Sequence, residues 1–326
     1  MRIGILGATG AVGRQMLTCI QEQGIRAEEI RLFASPRSQG LKVPYGAGEL
    51  TVQAYDPARL KGLDFVLGAV SNALSKECWP AIKASGAVFI DNSSAFRMDA
   101  EVPLVVPEIN GEDAKKHHGL IANPNCSTII TCMAVYPIAR LSPIRRMVAC
   151  TYQAVSGAGQ KGIAQLENEI DARQADRPAP ELTVFPAPIA FNCIPAIGSF
   201  ADDGYTTEER KMGNEGRRIM HLPDLKVTCT CVRVPVYRCH SIAVSLQCER
   251  PVSVGQAAAA IAGFKGDVMM EGSYPTPLQA SDQDLVYVGR LRADEVFDGG
   301  LALWCCGDQI RKGAAANAVQ IMASLL

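Results

Sequence analysis

Arg2-Ile3-Gly4-Ile5-Leu6-Gly7-Ala8-Thr9-Gly10-Ala11-Val12-Gly13 decides the fold. Residues 2–6 are an apolar run of strand length, and a helical pattern runs from Ala11 to about Gln23. Strand, glycine loop and helix in that order make the first unit of a dinucleotide-binding fold. The glycines permit a tight turn and let a pyrophosphate approach a helix N-terminus, where unpaired N–H groups and the dipole favour an anion. The spacing is G-x-x-G-x-x-G rather than G-x-G-x-x-G, so the flanking strand and helix carry the reading. Gly7, Thr9, Gly10, Ala11, Val12 and Gly13 are the expected cofactor loop.

A second strand at Ile30 to Ala34 ends in Ser35-Pro36-Arg37-Ser38. An acid at this end holds the ribose 2′-hydroxyl of NAD, whereas an arginine accommodates a 2′-phosphate. There is no acid here, so Ser35, Arg37 and Ser38 predict NADP(H); a solvated loop arginine is the alternative. The alternation continues with a strand at Phe65 to Gly68, a helix at Leu74 to Ser85, and strands at Val88 to Asp91 and Gly119 to Asn123. Such a series makes a mostly parallel sheet covered on both faces, with ligands at the carboxyl ends of its strands. Ser71-Asn72, Asn92-Ser93-Ser94 and Asn123 to Cys126 all fall at such ends.

The last of these, Asn123-Pro124-Asn125-Cys126-Ser127-Thr128, leads into a long helical pattern. Cys126 thus sits in the first turn of a helix, where backbone N–H groups lack partners and the dipole stabilises a thiolate. With twelve cysteines in the chain, most are inert core residues, and Cys126 is distinguished by its company. No pair has C-x-x-C spacing, and a disulfide framework belongs to small secreted chains.

Beyond Cys126 the texture changes. Arg146 to Ala154, Lys226 to Val234, Ser241 to Cys248, Leu285 to Val288 and Leu301 to Cys306 read as strands, with a helix from about Gly162 to Ala172. This predicts a second domain on a largely antiparallel sheet. Residues 174–206, rich in Pro, Ala, Asp and Gly, read as an oligomer contact or a lid. The expected division is a Rossmann-like α/β domain over 1–125 and an α+β catalytic and dimerisation domain over 126–308. A helix over 309–326 is expected to pack back on the first.

A length of 326 residues suits two domains, and 48% hydrophobic content is ample for their cores. A formal net charge of −1 without a long basic block argues against nucleic acid or an anionic membrane as partner. No stretch reaches the length of a membrane span, and Met1 to Leu6 lacks the features of a secretion signal. The expectation is a cytoplasmic enzyme with a small-molecule substrate.

The motifs GATGAVG (7–13), DNSSAFR (91–97), NPNCST (123–128), TYQAVSGAG (151–159), RVPVYRCHS (233–241) and DQIRKGAAANAVQ (308–320) together resemble the aspartate-semialdehyde dehydrogenase family over the whole chain. The resemblance implies NADPH-dependent conversion of aspartyl phosphate to aspartate semialdehyde, on the route to lysine, diaminopimelate, threonine and methionine, by a homodimer. Reductive dephosphorylation needs a nucleophile that expels phosphate and holds the acyl group as a thioester, and Cys126 matches that position. Among four histidines, His240 is, from the residues alone, equally a catalytic acid/base or a satisfied structural histidine. The resemblance assigns it to catalysis, with Gln153 orienting the substrate.

For the substrate's charges, the resemblance implies Arg233 on the α-carboxylate, Glu208 on the amino group, and Arg97 and Lys211 on the phosphate, with Asn92 and Asn125 nearby. An arginine fork suits a carboxylate, and Glu208 and Lys211 share a helical face. Glu209 competes with Glu208. Ser71, Ser156, Gly157 and Gln309 are implied on the cofactor side, although Gln309 stands where the family commonly shows Asn. No metal is implied. An N-acetyl-glutamyl-phosphate reductase-like enzyme and a non-catalytic binding relative are the competing readings. A Tyr-x-x-x-Lys short-chain dehydrogenase is disfavoured because no tyrosine has Lys four residues on.

Overall fold

β1 (Arg2–Leu6) is buried from Ile3 to Leu6, as the central strand of a parallel sheet with both faces covered must be. In this computed structural model, which describes residues 1–326, the chain forms two compact units, 1–125 with 313–326, and 126–312. The first unit continues with α1 (Ala11–Glu22), β2 (Glu29–Ala34), β3 (Lys42–Tyr45), β4 (Gly48–Ala54), β5 (Phe65–Gly68), α2 (Asn72–Ser85), β6 (Val88–Asp91), α3 (Pro107–Asn110) and β7 (Leu120–Ala122). Its seven-stranded sheet has the order β3-β4-β2-β1-β5-β6-β7. All neighbours are parallel except the β3–β4 hairpin. That hairpin has no counterpart in the sequence reading. Lys42, Pro44 and Glu49 make it a polar, proline-bearing edge, which protects the sheet and reads as loop.

The second unit opens with α4 (Cys126–Leu141) and continues with β8 (Ile144–Gln153), α5 (Gln160–Gln174), α6 (Thr207–Ile219), β9 (Lys226–Arg233), β10 (His240–Cys248), α7 (Val254–Ala262), β11 (Asp267–Met270), α8 (Pro277–Ala280), β12 (Val286–Asp294) and β13 (Gly300–Gly307). The six strands are ordered β11-β12-β13-β10-β8-β9. The middle pairs are antiparallel, whereas β8–β9 and β11–β12 are parallel, so the sheet is antiparallel only at its centre.

Residues 175–206 hold no regular element beyond isolated bridges, yet side chains of α5 tie down the middle of the segment. The Gln165 side-chain oxygen accepts from the N–H groups of Thr183, Val184 and Phe185, and Glu169 accepts from Ile189 and Ala190. Phe185, Ile189 and Ile194 pack on Val155 and Leu166.

After a π-helical turn at Arg311–Ala315, α9 (Ala316–Ala323) buries Ala316, Ala318, Val319, Ile321 and Met322 among Ile3, Ile5, Leu67, Ile90 and Ile121 of the first unit. The return begins at Gly313 rather than at residue 309. Asp308 and Gln309 remain in the second unit because they are tied to Arg238 and Cys239 there.

Candidate active site

In the second unit, strand register collects the predicted residues. Arg233 on β9 pairs with Gln153 on β8. The Ser241–Tyr152 pair sets His240 beside Gln153, and His240 pairs with Gly307 on β13. Arg233, Gln153, His240 and Gly307 therefore form one row across the sheet. A Cβ on Gly307 would lie 2.8 Å from Ile130 Cγ1, so α4 rests directly on this row. Cys126 is the first residue of α4 and is half-buried, whereas nine of the twelve cysteines are buried. Its neighbours in the turn, Ser127 and Thr128, are buried, which anchors the helix start around the more accessible thiol.

The hub of the row is the Ala154 peptide. Arg233 Nη1 donates to Ala154 O at 2.6 Å, and Ala154 N–H donates to His240 Nδ1 at 3.1 Å. An imidazole that accepts at Nδ1 carries its proton on Nε2 when neutral. Burial, and then the Arg233 cation, lowers the His240 pKa to about 3, with Glu208 opposing. His240 is thus a neutral Nε2–H donor, fully buried, and Nε2 has no partner within the protein.

Burial also lowers the Arg233 pKa, opposed by the nearby Cys126 and Glu208. The arginine side chain lies over the Phe185 ring, 5.6 Å from its centroid. Gln153 Nε2 donates to Glu208 Oε1 at 3.4 Å and Thr151 Oγ1 at 3.3 Å, while Lys211 Nζ reaches Glu208 Oε2 at 2.9 Å. The two neighbouring acids have different partners. Glu209 accepts from the Thr206 and Cys231 N–H groups at 2.7 and 3.0 Å, closing a capping box on α6 and tying it to β9. Glu208 is the one that faces Gln153. Gly157, in the turn after β8, lies against two members of the row: a Cβ there would sit 2.8 Å from Arg233 Nη1 and 3.2 Å from His240 Cε1.

In the first unit, Arg97 is buried, donating from Nε to Asn123 O at 2.9 Å and from Nη2 to Asn92 O at 2.8 Å. Asn123 Nδ2 donates to Asn92 Oδ1 at 2.8 Å, and Asn317 Nδ2 donates to Asn123 Oδ1 at 2.7 Å and Val105 O at 2.9 Å. This asparagine chain fixes the end of β7 that leads through buried Asn125 to the cysteine. Asn317 was not singled out by sequence. It lies on the far C-terminal helix, and only its interruption of an alanine-rich apolar face could have flagged it.

The glycine loop fits a dinucleotide pyrophosphate. Gly7 has φ +79°, and a Cβ on it would lie 2.2 Å from Ala69 O; on Gly13 it would lie 2.3 Å from Gly7 O. Gly10 has more room, 3.3 Å from Gly7 O. It caps α1 without any side-chain hydrogen bond, and the first turn holds no acid. Ala11 and Val12 open the helix beside it, and Thr9 O receives Arg14 Nε at 3.2 Å. Ser35 precedes a short 3₁₀ turn, Pro36–Ser38, with Arg37 exposed and Ser38 half-buried. Ser71 caps α2 by accepting Leu74 N–H at 3.4 Å. Of the second unit's candidates, Gln309 Nε2 donates to Ser156 Oγ, and its Oε1 accepts from Cys239 N–H at 2.7 Å. Of the remaining histidines, His117 is half-buried, accepting Gly119 N–H at 2.9 Å, while His118 and His221 are exposed.

Family models place this architecture. Residues 2–117 match the semialdehyde dehydrogenase NAD binding domain, and residues 135–312 match the semialdehyde dehydrogenase dimerisation domain. The protein is an oxidoreductase of the semialdehyde dehydrogenase class that binds a nicotinamide dinucleotide. An aspartate-semialdehyde dehydrogenase of Aquifex aeolicus is 46% identical over 98% of this chain and 96% of its own, and one of Bacillus subtilis is 39% identical over 100% and 97%. A crystal structure of aspartate semialdehyde dehydrogenase II from Vibrio cholerae complexed with ASA is 40% identical, with TM-score 0.96 over 99% of this chain and 97% of that one. The chain belongs to the aspartate-semialdehyde dehydrogenase family. No helix is long and apolar enough to cross a membrane.

Proposed function

We propose that the protein makes L-aspartate 4-semialdehyde from L-aspartyl 4-phosphate with NADPH, through a thioester on Cys126. The supporting observation is the row in which Arg233 and a neutral His240 share the Ala154 peptide, with Arg233 close enough to feel the Cys126 charge. Cys126 attacks the acyl carbon from a helix N-terminus that favours its thiolate, and phosphate leaves. NADPH, when bound, supplies the hydride that reduces the thioester. The resulting thiohemiacetal oxygen is negatively charged as it forms, and the His240 Nε2–H is the buried donor to receive it. Collapse of that oxyanion breaks the C–S bond, releases the aldehyde and returns the thiolate. Gln153 orients the acyl group.

Arg233 takes the α-carboxylate and Glu208 the α-amino group, while Arg97, Lys211, Asn92 and Asn125 serve the phosphate. Glu208 distinguishes a free amino group from an acetylated one, which needs no acid. NADP over NAD is favoured by exposed Arg37 between Ser35 and Ser38, with no acid in that turn. A homodimer through the outer face of the second sheet fits Val148 and Tyr152, which are 45% and 37% exposed there.

The test is phosphate-dependent reduction of NADP by purified protein with aspartate semialdehyde, beside Cys126→Ala. The expected outcome is activity that requires phosphate and vanishes in the variant while the fold is retained. A well-folded wild type without activity overturns the reading.

A further inference from the structure

Gln309 has an unusual place in the second unit. Its Oε1 accepts from Cys239 N–H at 2.7 Å, and its Nε2 donates to Ser156 Oγ. Cys239 immediately precedes His240, and its backbone is left-handed at φ +75°, a conformation that needs support in a residue with a Cβ. Ser156 belongs to the turn after Ala154. Between these ends, Val155 N–H donates to Val236 O at 2.8 Å and Ser156 N–H to Tyr237 O at 3.2 Å. Ala154 N–H then reaches His240 Nδ1 at 3.1 Å. The path from His240 through Cys239, Gln309, Ser156 and Ala154 back to His240 is a closed ring.

Gln309 is held from both sides. On one, His240 pairs with Gly307 across β10 and β13; on the other, Asp308 binds Arg238 Nε at 2.6 Å and accepts from the Ile310 and Arg311 N–H groups. A side chain so placed spans Cys239 and Ser156 with its carboxamide.

We propose that Gln309 is a positioning residue for His240: its carboxamide closes the ring that keeps Ala154 N–H on Nδ1, and so keeps the imidazole proton on Nε2. Without the bridge, Cys239 N–H loses its side-chain acceptor and Ser156 Oγ its tie to Gln309, so the turn after Ala154 is held only by its two backbone hydrogen bonds and the ring can accept at either nitrogen. The role in turnover rests on the functional reading above, while the tautomer does not.

The experiment uses full-length protein with ¹⁵N-labelled histidine, whose ring shifts separate the Nε2–H from the Nδ1–H tautomer, with His240→Asn to assign the signal. Wild type is expected to show neutral Nε2–H at His240 throughout pH 5 to 8. Gln309→Met is expected to mix the tautomers and to lower kcat at saturating NADP at least tenfold, with the Kd for NADP by calorimetry within twofold. Ser156→Ala is the milder variant should Gln309→Met fail to fold, and shows the same changes in smaller degree. Gln309→Glu, which still accepts from Cys239 N–H and from the Ser156 hydroxyl, is expected to restore the tautomer.

An Nδ1–H signal in wild type, or an unchanged tautomer in both Gln309→Met and Ser156→Ala, overturns the proposal. So does a tenfold rise in NADP Kd with kcat unchanged, which makes Gln309 a cofactor ligand instead. Wild type with the expected tautomer but no turnover leaves the brace standing and removes the functional reading.

Discussion

Gly157→Ala, in the turn after β8, should separate activity from stability. The added methyl carbon would lie 2.8 Å from Arg233 Nη1 and 3.2 Å from His240 Cε1. Neither group can simply swing aside, because Ala154 O holds the first at 2.6 Å and Ala154 N–H holds the second at 3.1 Å. Relieving the contact strains packing by about 1–3 kcal/mol or breaks a charged hydrogen bond worth about 1.5–3 kcal/mol. Alanine also narrows the unfolded chain, which returns about 0.4–1 kcal/mol at a position outside the left-handed region. The net stability loss is thus small, about 1–2 kcal/mol. Activity has no such offset. A displaced guanidinium and imidazole forfeit about 1.4–2.8 kcal/mol of transition-state stabilisation, a 10- to 100-fold fall in kcat/KM. The assay is phosphate-dependent NADP reduction beside a urea melt. A variant with kcat/KM within twofold of wild type would refute the argument that Ala154 clamps both reacting-side groups.

His240 should make the protein acid-sensitive. Its folded pKa of about 3 lies below the 6.5 of the free side chain, so the unfolded state binds the proton first as pH falls. Its contribution is complete above pH 6.5 and is lost toward pH 3, at about 1.4 kcal/mol per pH unit. Between pH 7.5 and 5, urea midpoints should show wild type losing about 2 kcal/mol more than His240→Asn, and parallel losses would contradict this. Asp308→Ala removes one of the two carboxylates paired with Arg238 and leaves the Asp282, Ile310 and Arg311 N–H groups without their acceptor, and should cost about 2–3 kcal/mol by denaturation. Arg37→Ala should raise the KM for NADP about tenfold and leave that for NAD unchanged, which steady-state kinetics with both cofactors would check.

Where local chemistry dictates local structure, the sequence was readable. Gly7 and Gly13 stand where a Cβ would strike a carbonyl oxygen at 2.2 and 2.3 Å, and the glycine spacing announced that turn. β5 and β7 of the first sheet are buried along their whole length and declared themselves as short continuous apolar runs. The hairpin at residues 42–54 did not, because its edge position demands polar side chains and tolerates Pro44. The parallel edges of the second sheet were hidden for another reason. Alternation records which face of a strand is buried, and says nothing of its neighbour's direction.

The site shows the same division. Cys126, His240, Arg233 and Gln153 were identifiable as residue types suited to the chemistry, but what makes them a unit is register and a peptide group. A one-residue slip of β8 would turn Gln153 to the opposite face and move Ala154 away from both Arg233 and His240. Ala154 itself acts through its N–H and C=O, which every non-proline residue possesses, so no reading of side chains could select it. The same holds for the choice between Glu208 and Glu209. Both carry the same carboxylate one residue apart, and the helix turn commits Glu209 to Thr206 and Cys231 while leaving Glu208 facing Gln153. Chemistry named the candidates, and backbone geometry gave each its neighbours.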